Sequence, residues 1–262
     1  GNVMNLPNLK EAKKRDEKEV LYINQQLSGN NAFAGKKYFL RTYGCQMNEH
    51  DSEEIEGILE YLGMTSTDEM ETADVIILNT CAIRENAHDK VFGYLGRVKH
   101  LKKERPDVIL AIGGCMSQEE KIVSEIKERH PYVNIVFGTH NIHELGEYLL
   151  DCASSKQDIE VFSKQGDVIE NIRYKRASHI SAWVNIIYGC DKFCTYCIVP
   201  YTRGKERSRK LEEIIKEVEK LKEDGYQEVT LLGQNVNAYG HDLKDNVLFS
   251  DLLEAVAKTG IP

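Results

Sequence analysis

A chain of 262 residues with 41% hydrophobic and 29% charged residues is long enough for two ordinary domains, each with its own core. No apolar run approaches the roughly 20 residues that a membrane span needs and no secretory leader opens the chain, so the expected location is cytoplasmic, with no membrane partner. The net charge of −8 does not fit a broadly basic nucleic-acid binder, and seven cysteines in a reducing compartment point to metal or catalysis rather than disulfides.

Residues 1–35 read as an N-terminal extension, with one helix-like run, "LKEAKKRDEKEVLYINQQL", and "SGNNAFAG" as its linker. From Lys36 a regular alternation begins. "KYFLRTY", "DVIILNT", "VILAIGG" and "VNIVFGT" are short, β-branched apolar runs of the buried-strand type. Between them, Ile55, Ile58, Leu59 and Leu62, and then Val91, Leu95, Val98 and Leu101, repeat at helical spacing. Ser117 with Glu120, and Asn141 with Glu144, have capping-box spacing. The pattern predicts an α/β fold with a doubly wound parallel sheet over 36–150.

Residues 151–179 break the rhythm and read as a linker with a short strand or hairpin. A second alternation opens at 180–262: strand "AWVNIIYG", a helix marked by Leu211, Ile214, Ile215, Val218 and Leu221, strand "EVTLLGQN" and helix "LFSDLLEAVAKTG". Two βα units cannot close a barrel or cover both faces of a sheet, so this region reads as truncated.

The cysteines form two sets of three. Cys190, Cys194 and Cys197 stand in C-x3-C-x2-C spacing, with no fourth Cys or His nearby in sequence. Structural zinc wants four protein ligands, whereas a [4Fe–4S] cluster held by three thiolates leaves one iron open for a ligand; zinc with a distant fourth ligand stays open as an alternative. Cys45, Cys81 and Cys115 are 36 and 34 residues apart, each just beyond a predicted strand. In an open parallel sheet those ends share the edge where ligands bind, so the three thiolates are expected to converge. Taken singly each could be a small buried hydrophobe; Cys152, at the end of a helix, is read as structural.

"YGCDKFCTYC", with Tyr196 before its last cysteine, resembles the signature of radical S-adenosylmethionine enzymes. Preceded by "TYGCQMN", "NTCAIRE" and "GGCMSQ", it resembles the methylthiotransferases of that group, over about 36–262. The resemblance implies a second domain that starts a radical S-adenosylmethionine partial β/α barrel, with the rest of the barrel and a C-terminal RNA-binding domain absent. It implies two [4Fe–4S] clusters: a radical cluster on Cys190, Cys194 and Cys197 that binds S-adenosylmethionine, and an auxiliary cluster on Cys45, Cys81 and Cys115 that supplies sulfur. The form of the motifs is similar to the branch acting on isopentenylated adenosine at tRNA position 37, which gains a 2-methylthio group. Threonylcarbamoyl-adenosine in tRNA and an aspartate of a ribosomal protein are alternative targets, and a zinc-bearing RNA-binding adaptor is an alternative of another class. An electron donor such as flavodoxin or ferredoxin is implied as a partner; the sulfur donor is not. Tyr196, with Gln234 and Asn235 at a strand end where barrels keep ligand groups, is expected to contact S-adenosylmethionine. In the basic segment "RGKERSRK", Arg203 and Arg207 are candidate contacts for a carboxylate or RNA phosphate.

Overall fold

The computed structural model describes residues 4–5, 20–81, 85–114, 120–152, 158–160, 167–189 and 206–261. Its main element is a sheet of seven parallel strands. In chain order these are β1 (Met4–Asn5), β3 (Lys37–Thr42), β4 (Thr65–Ser66), β5 (Val75–Thr80), β6 (Ile109–Gly114), β7 (Ile135–Phe137) and β8 (Asp158–Glu160). Across the sheet they run β1-β8-β7-β6-β5-β3-β4.

Every residue of β5 is buried, as its unbroken VIILNT run requires of a central parallel strand. Helices cover both faces. α1 (Gln46–Tyr61) and α4 (Leu145–Asp151) close one face, where Ile55, Ile58 and Leu59 meet Leu145 and Leu149. On the other lie α2 (Glu85–Glu104) and α3 (Glu120–Arg129), with Val91, Leu95 and Val98 packed on Ile76 and Leu78. The chain leaves β3 toward β4 on one side and proceeds through β5 and β6 on the other, so the crevice between the ends of β3 and β5 is the topological switch point of a doubly wound sheet.

The second unit is a βαβ motif: β10 (Ser181–Asn185), α5 (Leu211–Glu223) and β13 (Glu228–Leu232), with β10 and β13 paired in parallel from Ser181↔Glu228 to Asn185↔Leu232. Its core is Val184, Ile186, Ile214 and Val218 with Leu252 and Val256 of α6 (Phe249–Lys258). β11 (Ile187–Tyr188) pairs antiparallel with β12 (Arg207–Ser208). No helix among the described residues is long and apolar enough to cross a membrane.

Several sequence expectations need correction. Within the run read as helical, Tyr22–Asn24 is a strand, β2, paired in parallel with β9 (Val168–Glu170); long-range pairing overrides a local helical pattern. "SGNNAFAG" is a packed turn rather than a free linker: Asn31 and Phe33 N–H groups donate to the carbonyls of Tyr61 and Leu62 at 3.1 and 2.8 Å, satisfying the C-terminal end of α1. In 151–179, β8 joins the main sheet and β9 pairs with β2, so the two strands form no hairpin with each other. Asn141 makes no capping box with Glu144. It precedes a 3₁₀ turn, its Oδ1 accepts from Gly138 N–H at 2.6 Å, and its Nδ2 donates to Tyr148 Oη at 3.1 Å. Ser117 lies outside the described residues.

Candidate functional site

Cys45 is the residue preceding α1, in extended conformation and exposed, and its thiol makes no capping bond. Cys81 follows β5 and is buried. The turns that carry them run side by side, because Tyr43 N–H donates to Asn79 O at 2.8 Å. Gly44 makes the approach possible: its φ is +104°, and a Cβ there would lie 2.6 Å from Cys81 Cβ and 2.8 Å from its Sγ. A side chain would press into the Cys81 thiol and adopt a backbone region that favours glycine. Cys115 lies outside the described residues, but the strand leading to it ends beside Cys81, since Gly114 pairs with Thr80.

Buried amides and a hydroxyl tie these three strand ends together. Asn48, fully buried on the first turn of α1, donates from Nδ2 to Tyr43 O at 2.9 Å and Thr80 O at 2.6 Å. Asn79 Nδ2 donates to Asn48 O at 2.8 Å and to Ser52 Oγ at 2.9 Å. Thr80 Oγ1 donates to Gly113 O at 2.6 Å. The residues flanking Cys45, Cys81 and Cys115 are thus fixed relative to one another by bonds that sequence reasoning missed. Their signal was a polar residue three places after Cys45 and two more at the end of an otherwise apolar strand. Cys45 also stands at the N-terminus of α1, where the helix dipole favours anionic sulfur. Cysteines just past two paired strand ends, with no side chain on Gly44 beside the Cys81 thiol, fit thiolate ligation of an iron–sulfur group.

The second unit docks on the α1 face. Ala177 N–H donates to Glu53 Oε2 at 2.7 Å, Lys175 N–H to Glu53 O at 3.0 Å, and the His50 ring stacks 4.5 Å from that of Tyr174. Between the units lies a narrow cleft bordered by Met47, Asp51 and Glu54 on one side and Asn185, Tyr188 and Gly189 on the other. In sequence, Met47 lies two residues beyond Cys45 and Gly189 immediately precedes Cys190. Burial, and then the neighbouring Asp51 carboxylate, push Glu54 up to about 8, so at neutral pH it is mostly a neutral acid.

Cys190, Cys194, Cys197, Tyr196 and Arg203 lie outside the described residues. Gln234 is exposed at the end of β13, and its Nε2 donates to Met47 Sδ at 2.8 Å, joining the second unit to the turn beyond Cys45. Asn235 is half-buried and opens the 3₁₀ turn Val236–Ala238. Arg207 is only 4% exposed; it lines the cleft with its guanidinium 5.7 Å from the Tyr188 ring centre, a placement inside the molecule rather than on the outer surface. Arg209, also in that basic segment, is buried between Glu170 at 2.7 Å and Glu217 at 2.8 Å. It ties β9 to α5.

A doubly wound unit with Cys45 and Cys81 just past two paired strands at its switch point, followed in sequence by C-x3-C-x2-C and a βα unit, has the cysteine pattern of radical S-adenosylmethionine proteins with an added cysteine-bearing domain. Comparison with known proteins agrees. Residues 37–138 match the uncharacterized protein family UPF0004, and residues 184–258 match the radical SAM superfamily. The chain is 57% identical to the tRNA-2-methylthio-N(6)-dimethylallyladenosine synthase of Bacillus pumilus (strain SAFR-032), and 56% identical to the protein of that name from Staphylococcus aureus (strain JH9). Each match covers 98% of this chain and 51% of the relative, so the chain spans about half the length of these relatives. Among solved structures, the radical S-adenosylmethionine methyltransferase TsrM from Kitasatospora setae, with cobalamin and a [4Fe–4S] cluster bound, matches with a TM-score of 0.50 at 11% identity. That match covers 85% of this chain and 51% of the other, and shows likeness of fold alone. The chain is thus similar to radical S-adenosylmethionine methylthiotransferases, a family that uses S-adenosylmethionine and [4Fe–4S] iron–sulfur clusters.

Proposed function

We propose that this chain supplies the two cluster-binding units of an enzyme that converts N6-isopentenyladenosine at tRNA position 37 to its 2-methylthio derivative. The observation that carries the reading is the placement of Cys45 and Cys81 just past the ends of the paired strands β3 and β5 at the switch point, because a second thiolate site separates sulfur insertion from radical generation alone. The names of the relatives support the substrate. When bound, the clusters supply one-electron cleavage of S-adenosylmethionine and the sulfur to be inserted, chemistry suited to an unpolarised aromatic C–H that acid–base catalysis cannot activate.

The roles of the residues follow from where they stand. Cys190, Cys194 and Cys197 would hold the radical cluster, and Cys45, Cys81 and Cys115 the auxiliary one. Tyr196, Gln234 and Asn235 serve S-adenosylmethionine, and the Gln234 contact with Met47 keeps that site in register with the auxiliary thiols. Glu54, held neutral in the cleft, adds no second anion to a site that already gathers thiolates. Arg203 serves a substrate anion, and Arg207, being buried, can reach only a group that enters the cleft. The target adenine must leave the anticodon-loop stack to reach the cysteines, which costs less in a loop than in a duplex. Reducing equivalents come from a small donor of the flavodoxin or ferredoxin kind.

The test uses the full-length enzyme, reconstituted anaerobically and offered isopentenylated and threonylcarbamoylated tRNA. Methylthiolation of the first is expected, with about eight irons per chain, four for each cluster. Cys45→Ala should halve the iron and stop methylthiolation while leaving reductive cleavage of S-adenosylmethionine intact. Modification of only the threonylcarbamoylated tRNA, or of a ribosomal protein aspartate, would overturn the substrate; bound zinc with little iron would overturn the enzyme in favour of an adaptor.

A further inference from the structure

The chain is acidic overall, yet one strip of its surface is not. From Lys90 to its end, α2 carries Lys90, Arg97, Lys99, Lys102 and Lys103 against the single acid Glu104. Where this helix passes β3, the cations alternate with aromatic rings. The Arg41 guanidinium lies 5.9 Å from the ring centres of both Tyr43 and Tyr94, and that of Arg97 lies 5.3 Å from Tyr94. Tyr43 and Tyr94 meet edge to face at 6.4 Å, and Phe39 stacks behind Tyr94 at 6.5 Å. Arg41 and Arg97 are exposed, while Tyr94 is half-buried and so held in place. Arg97 also pairs with Glu71 at 3.1 Å, but with side chains 57% and 63% exposed that pair contributes little and is readily exchanged.

Position gives the strip its meaning. Phe39, Arg41 and Tyr43 alternate along β3 onto the α2 face, opposite the face on which the second unit docks. β4 pairs with β3 only at Lys37 and Tyr38, so among the described residues the stretch carrying Arg41 has no strand on its outer side. Arg41 is four residues before Cys45, and the Tyr43 ring packs in the same cluster as Cys81. A polynucleotide whose target base is delivered to the cysteine edge must run its neighbouring nucleotides over the surface beside that edge. Guanidinium groups separated by an aromatic face suit it: the cations take phosphates and stack on bases, and the ring offers a face that any base can use.

We propose that Arg41, Tyr94 and Arg97 form an RNA-contact patch that holds the nucleotides flanking the target adenosine as it enters the cysteine edge. The proposal rests on the tRNA reading above and adds to it a surface on the first domain. An acidic protein, such as the electron donor, would be attracted by the same charges; the interleaved rings favour RNA, because a carboxylate-rich surface gains nothing from the Tyr94 face.

The experiment measures binding of an anticodon stem-loop RNA to the full-length reconstituted enzyme by fluorescence anisotropy over a series of salt concentrations. Tyr94→Ala is expected to raise Kd about tenfold, within the range for loss of one stacked base, and Tyr94→Phe to leave it unchanged. Arg41→Ala with Arg97→Ala should weaken binding and lower the slope of log Kd against log salt by roughly one for each phosphate no longer neutralised. Arg129→Ala, which removes an exposed cation on α3, should change neither quantity, and iron content reports that each variant is folded. If wild type binds and the double arginine variant binds with the same Kd and slope, the patch is wrong and the tRNA reading stands. If wild type binds no RNA, both fall. Variants that keep RNA affinity but lose turnover with a protein electron donor would assign the patch to that donor and overturn the RNA proposal.

Discussion

The side-chain amide of Asn48 donates to the backbone carbonyl of Thr80 across 2.6 Å, and so fastens the turn that follows Cys45 to the residue that precedes Cys81. The same amide reaches Tyr43 O at 2.9 Å, so one buried group fixes the backbone on both sides of the thiol pair. Asn48→Ala leaves two carbonyls without this donor, at a cost of about 1–3 kcal/mol for each buried group that finds no replacement. Asn48→Asp keeps the shape but sets a carboxylate oxygen against a carbonyl, and should be worse. The expected outcome is lower stability in urea and selective loss of the iron bound by the first domain, in the order wild type, Asn48→Ala, Asn48→Asp. Equal iron in all three would show that the thiols hold their geometry without the amide.

The elements around this site were legible because apolar periodicity and burial coincide there. The residues of VIILNT in β5, and Ile55, Ile58 and Leu59 in α1, are buried where their spacing says they should be. Cys45 and Cys81, read as lying just after strands, do follow the neighbouring strands β3 and β5, as parallel topology requires. What stayed hidden depends on partners distant in sequence. β2 is three residues long and forms only because β9, more than a hundred residues later, supplies its hydrogen bonds. Arg207 and Arg209 sit in a short basic run, and nothing local announces that Glu170 and Glu217 enclose Arg209. Asn48 was invisible for the opposite reason, since an asparagine early in a helix is ordinarily a solvent-facing residue.

Arg209 offers a second test. Its Nε and Nη2 donate to Glu170 Oε1 and Oε2 at 3.0 and 2.7 Å, and Nη1 donates to Asn185 O at 2.7 Å and Glu217 Oε1 at 2.8 Å. With Arg209 and Glu170 both buried, removal of the guanidinium strands a carboxylate in a low-dielectric setting, which costs about 3–5 kcal/mol. Arg209→Ala should therefore destabilise the second domain by that order in a denaturant titration, and Arg209→Lys should recover only part, since an ammonium cannot reproduce the fork. Adding Glu170→Gln to Arg209→Ala should relieve much of the loss; a double variant no more stable than the single one would mean that lost packing, not the stranded charge, sets the penalty.

The cleft carboxyl makes stability depend on pH in a defined sense. Burial, reinforced by the Asp51 charge, lifts Glu54 from the usual 4.5 to about 8, so between those values the folded protein holds a proton that the unfolded chain releases. Stability from this group is complete below about pH 4.5 and is lost as pH rises toward 8, with a slope that cannot exceed about 1.4 kcal/mol per pH unit for one proton. Other groups titrate over the same range, so the informative quantity is the difference between wild type and Glu54→Gln, whose amide mimics the protonated acid without a charge to acquire. Urea titrations at pH 5, 6, 7 and 8 should show the wild type losing stability relative to Glu54→Gln across the series, with the difference levelling off above pH 8. Parallel pH profiles for the two proteins would mean that water or a cation in the cleft keeps Glu54 ionised, and the neutral lining assigned to it would no longer hold.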